Sequence, residues 1–199
     1  MLSKLAKDMA LSFYSSSGEI YDDGDVEVYA YGAELLISSV LQILTVLILG
    51  LIIQRRLETV VFLAGFIPLR VFAGGYHAKT HLRCFLGLLF VYAVFLTVLH
   101  IIPLEMIVEL SLIFTVVSFF PIWIYAPLED VNRPIGEIQG KKFRKSSLVV
   151  YFVQASIIVT LSILGLIPYI ILSFACGQLA VTISLLVADI KNRVQKRAA

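Results

Sequence analysis

Hydrophobic positions in this chain do not alternate with polar ones; they run in long blocks. Apolar runs cover residues 33–53, 57–69, 84–102, 106–125, 148–167 and 169–187. Runs of about 18 or more apolar residues read as membrane-spanning helices. The block at 57–69 is shorter, and Pro68 and the Gly74–Gly75 pair close it, so it is either a short, kinked span or a re-entrant element. Pro103 turns the third block into the fourth, and Gly165 with Pro168 marks a hinge between the last two. Residues 126–147 read as the longest polar loop. Ahead of the first block, Leu2, Leu5, Ala6, Met9 and Phe13 recur at helical spacing, with Lys4, Lys7 and Asp8 among them. That pattern suits a helix lying in the membrane interface. The expected fold class is all-α: a polytopic membrane helix bundle of about six spans plus an N-terminal amphipathic interfacial helix.

Composition supports the same class. Hydrophobic residues make up 59% and charged residues 15% of the chain, and the mean hydropathy is +0.93, unlike an ordinary soluble domain. One domain over residues 1–199 is expected, with an interfacial segment at 1–30, the bundle at 31–188 and a basic tail at 189–199. A net charge of +2 gives no reason to invoke nucleic acid. The placement of charge is more informative. With the N-terminus in the cytoplasm, six spans leave all but Arg55 and Arg56 of the 16 lysines and arginines on the cytoplasmic side, as the positive-inside rule requires. The first residues lack the continuous apolar core of a removable signal peptide.

The usable chemistry gathers in one polar interruption, residues 69–84. It holds His77, His81 and Cys84, whereas the third histidine, His100, and the second cysteine, Cys176, lie inside apolar runs. Two cysteines so far apart do not form a disulfide framework, which fits a reducing, cytoplasm-facing side for Cys84. Thr80 suits the N-cap of the third span, which would put Cys84 in its first turn, where the helix dipole favours negative charge. Lys79 and Arg83 add positive potential, and His77 could take the thiol proton and return it to a leaving group. Gly74–Gly75 allows a sharp bend that aims backbone N–H groups at a developing oxyanion. The bland alternative is an inert, buried cysteine. A sharper one is a metal site of His77, His81 and Cys84, which would share one face of an uninterrupted helix. A third is a small transporter or channel subunit whose path is lined by Glu34, Gln42 and Gln178.

Arg70-x3-Gly74-Gly75-x-His77-x6-Cys84 resembles the signature of the AgrB family of Gram-positive bacteria. Tyr31-Gly32-Ala33-Glu34, Ala126–Pro127 and Asn132-Arg133-Pro134 add to the resemblance, which covers most of the chain. It implies a multi-pass cell-membrane cysteine endopeptidase with its active site at the cytoplasmic face. Cys84 would be the nucleophile and His77 the general base and acid, supported by Arg70, Gly74 and Gly75. The implied substrate is an AgrD-like precursor peptide, whose acidic C-terminal tail is removed and whose remainder is closed into a thiolactone or lactone quorum-sensing signal. Lys141, Lys142, Arg144 and Lys145 are candidates for recruiting that tail. No metal and no cofactor are expected. The expected partners are the precursor and the lipid bilayer, with a homodimer left open and no nucleic acid.

Overall fold

The computed structural model describes residues 12, 23–75, 80–128 and 136–198. The amphipathic pattern before residue 17 falls outside them, apart from Ser12. Six α-helices are present among the described residues: α1 Asp23–Ile52, α2 Arg56–Ala73, α3 His81–Ile101, α4 Ile107–Tyr125, α5 Glu137–Ile163 and α6 Pro168–Ala198. A single 3-10 turn, Leu104–Met106, leads into α4. No strand longer than one bridge occurs among these residues. The chain divides into two compact units, Met1–Ile48 and Leu49–Ala199. In the first, Gln42 bonds the Ser38 hydroxyl one turn away at 3.2 Å.

Five stretches are long and apolar enough to cross a membrane: Gly32–Ile52, Leu82–Ile101, Leu104–Tyr125, Ile138–Ile163 and Pro168–Gln195. The sixth helix, α2, is not, because Arg56, Glu58 and Arg70 interrupt its 18 residues. The short block of the sequence is thus a helix of a different kind. Two boundaries also move. The supposed polar loop gives way to helix at Glu137, and α6 continues through the basic tail. Lys, Arg and Gln are good helix formers, and no breaker follows Gly140 in one stretch or Gly177 in the other. The hinge between α5 and α6 stands as expected, with Gly165 at φ +64.

Helix α6 is the axle of the second unit, packed against α2, α4 and α5. Arg55, just before α2, lies over the Tyr169 ring at 5.6 Å, and Arg70 near its end bonds Ser184. The two helices therefore run side by side in the same direction. Between those points they touch backbone to backbone. A Cβ at Gly65 would lie 2.6 Å from the Phe174 carbonyl, and one at Gly177 would lie 2.5 Å from the Phe62 carbonyl. Only glycine permits that approach, the usual device of close helix contact in membranes.

Proline 68 adds a second constraint. It has no N–H to give to the carbonyl four residues back, and in a bilayer no water can substitute. Gln154 of α5 does so, donating through Nε2 to Ala64 O at 3.2 Å and to Gly65 O at 3.1 Å. Gln178 of α6 in turn donates to Gln154 Oε1 at 3.2 Å. Both glutamines are buried. Tyr151 of α5 donates to Thr115 O of α4 at 2.7 Å, and Thr59 of α2 pairs with the Tyr92 hydroxyl of α3 at 2.7 Å. Polar ties inside an apolar shell thus join α2 to α3, α5 and α6, α4 to α5, and α5 to α6.

Substituting Gln154→Leu should destabilise the bundle by about 1–3 kcal/mol, because it orphans the Ala64 carbonyl and the Gln178 amide. Adding Pro68→Ala should recover part of that loss by restoring the backbone donor. Thermal unfolding in detergent measures both. An unchanged midpoint for Gln154→Leu would show that the carbonyl is satisfied some other way.

Candidate active site

Of the signature residues, Arg70, Gly74 and Gly75 come together at the end of α2, while His77 lies outside the described residues. Ala73 closes the helix, and Gly74 and Gly75 follow at φ +74 and φ +127, a region that side chains other than glycine's rarely adopt. The turn is tied to the loop after α4: Leu128 N–H donates to Ala73 O at 3.0 Å, and Gly74 and Leu128 form a parallel bridge. A Cβ at Gly74 would lie 2.6 Å from the Leu128 carbonyl. The Ala126–Pro127 pair therefore belongs to the site's scaffold, with its peptide bond cis. Beneath the turn sits an apolar floor of Leu69, Ala73, Ile122, Ala126, Tyr151, Val181 and Leu185, from four helices and the corner after α4.

Arg70 reaches back over this turn. Its Nη1 donates to Gly74 O at 2.5 Å and to Ser184 Oγ of α6 at 3.0 Å. Gly75 packs into the same knot: a Cβ there would fall on the Arg70 guanidinium and lie 2.8 Å from Ser184 Oγ. Burial pulls the guanidinium down to about 10, against which the nearby Cys84 charge pushes it up. Arg70 is thus a cation near neutral pH, and it stands near Cys84.

Cys84 lies where the capping signal puts it. Thr80 is extended, and its hydroxyl accepts from Arg83 N–H at 3.3 Å. Cys84 N–H makes the first backbone bond of α3, to Thr80 O at 3.1 Å. The thiol is partly exposed and occupies the first turn, near the positive end of the dipole. Because Thr80 is extended at φ −136 and ψ 147, no continuous helix runs back from Cys84 through Thr80. Among the described residues no three metal-binding side chains gather; His77 lies outside them. Cys176 is buried within α6.

The basic run is the first part of α5, not a loop. Lys141, Lys142, Arg144 and Lys145 are exposed, while Phe143 packs edge-on against Phe72 with ring centroids 6.3 Å apart. The cluster therefore sits at the end of the bundle that carries the glycine turn. Arg144 also donates to Trp123 O at 3.2 Å, serving the end of α4. Gln178, offered for a transport path, instead secures α5. Ser184 escaped the sequence reading. It is one of several hydroxyls in an apolar helix, and Ser173 and Thr182 merely bond their own helix's carbonyls at 2.6 and 3.1 Å. No local pattern sets Ser184 apart from them.

The sequence model of one family, described as Accessory gene regulator B, matches residues 5–188. A Clostridium perfringens protein (strain SM101, type A) described as AgrB-like is 31% identical over 157 residues, which cover 74% of this chain and 71% of that protein. Another from C. perfringens (strain 13, type A), described as AgrB-like protein 2, is 30% identical over 134 residues, 64% of this chain and 63% of its own length. No solved structure matches.

Replacing Arg70→Gln keeps a donor for Gly74 and Ser184 but removes the charge. Alkylation of Cys84 near neutral pH should slow about tenfold, because a neighbouring cation favours the thiolate. Burial depresses Arg70, so its charge is present below about pH 10 and fades only above it. The wild-type advantage should accordingly persist through the neutral range and narrow above that pH. Equal alkylation rates for the two proteins near neutrality would disconnect Arg70 from the thiol.

Proposed function

Because this chain belongs to the accessory gene regulator B family, we propose that it is a membrane-embedded cysteine endopeptidase that trims and cyclises an AgrD-like precursor peptide. The observation that carries this reading is the site itself: a partly exposed cysteine in a helix's first turn, beside a held guanidinium and a glycine turn. In this reading the Cys84 thiolate attacks the scissile carbonyl and forms an acyl-thioester. His77 gives the departing amine its proton, and the acidic tail leaves. A thiol or hydroxyl within the precursor then attacks the thioester, closing the ring. Cys84 departs as thiolate, and the attacking group's proton passes to His77. A thioester exchanged for a thiolactone changes bond energy little, so the requirement is exclusion of water. A site at the mouth of an apolar bundle supplies that.

The active site belongs at the cytoplasmic face. The end of α2, the start of α3 and the start of α5 bear Arg70, Arg83, Lys141, Lys142, Arg144 and Lys145, and positive charge favours that side. The exposed lysines of α5 recruit the acidic tail, steering it toward the neighbouring turn.

In proteoliposomes supplied with precursor, Cys84→Ser should lose cleavage by about a thousandfold or more. His77→Ala should lose it by about a hundredfold or more, and added zinc should rescue neither. Unimpaired cleavage by Cys84→Ser would overturn the mechanism.

Changing Lys141, Lys142 and Lys145 together to Gln should raise KM about tenfold at low salt and leave kcat alone. The difference should shrink as salt screens the wild type. A KM identical to wild type at low salt would end the recruitment idea.

A further inference from the structure

Arg70 holds the glycine turn, yet a long side chain on one helix needs something to hold its far end. Four rotatable bonds separate the guanidinium from α2, and each free rotamer would spread its charge over a wider volume. The far end is held from a different helix. Ser184 lies one turn beyond the buried Thr182–Val181 layer of α6, and its Oγ is the side-chain acceptor 3.0 Å from Arg70 Nη1. The same nitrogen donates to Gly74 O. Ser184 Oγ is also what a Cβ at Gly75 would meet at 2.8 Å. One hydroxyl thus limits both the cation and the turn. The helix that carries it is locked to α2 by the Gly65–Gly177 contact, so its position does not depend on the loop it supports.

We propose that Ser184 is a positioning residue of this site, accepting the Arg70 guanidinium and holding it against the Gly74–Gly75 turn on the side of Cys84. It acts through Arg70. Its consequence for catalysis rests on the peptidase reading; its consequence for the thiol does not.

The test measures the alkylation rate of Cys84 near neutral pH, with Cys176 buried and silent, together with kcat and KM for the precursor. Ser184→Ala should slow alkylation about tenfold, the scale of a lost hydrogen bond to a charged group, and should lower kcat with KM unchanged. Ser184→Thr keeps the hydroxyl and should stay within about twofold of wild type. The decisive variant is Arg70→Gln with Ser184→Ala. If Ser184 acts through Arg70, the double variant reacts no more slowly than Arg70→Gln alone. Wild-type alkylation by Ser184→Ala, or fully additive losses in the double variant, overturns the proposal. Should alkylation follow the expected pattern while Cys84→Ser still cleaves the precursor, the positioning role stands and the peptidase reading falls.

Discussion

A helix set among membrane spans that carries two arginines, a glutamate and a proline in 18 residues cannot face lipid on its own, and α2 is such a helix. Every backbone group within a bilayer needs an internal partner. Pro68 takes one away from Ala64, and Gln154 of α5 gives it back. The Gly65–Gly177 contact then brings the helix against α6 at backbone distance. Together these fix where α2 ends, and hence where Arg70, Gly74 and Gly75 are presented. The site depends on a helix that only its neighbours stabilise.

This arrangement divides labour between rigid and adaptable parts. The floor of the site is apolar and drawn from α2, α4, α5, α6 and the Ala126 corner. The turn above it is held by backbone bonds to Leu128 and by the Arg70 fork. Cys84 comes from a separate helix whose start is set by Thr80. Cys84 stands at a capped helix start, and Arg70 is anchored from two other elements. In the proposed peptidase reading, such preorganisation is where enzymes gain most of their electrostatic advantage.

The arrangement also explains why the basic cluster lies where it does. Phe143 ties the start of α5 to the end of α2 through Phe72, so the lysines flanking it are carried to the mouth of the site. Arg144 turns one of those charges inward, onto the exposed carbonyl end of α4, where a cation also complements the helix dipole. One short basic stretch therefore serves both the scaffold and the surface.

Much of this was legible in the sequence. Apolar block length depends only on the thickness of a bilayer, so five spans and the odd character of residues 57–69 could be read directly. The Thr80 cap and the first-turn position of Cys84 are local, set by side-chain bonding within one turn. Paired glycines before a histidine and a cysteine marked the site for the same reason: positive φ is a property of single residues. The start of α5 and the extension of α6 read as loop and tail in the sequence, because dense charge hides the helix propensity of Lys, Arg and Gln there. Ser184, Gln154 and the Gly65–Gly177 crossing were decided by tertiary structure alone. Ser184 lies 114 residues from Arg70 and Gln154 lies 89 from Gly65. A hydroxyl or an amide in an apolar helix looks the same whether it bonds its own turn or another helix, and only the packing of α2 against α5 and α6 selects which.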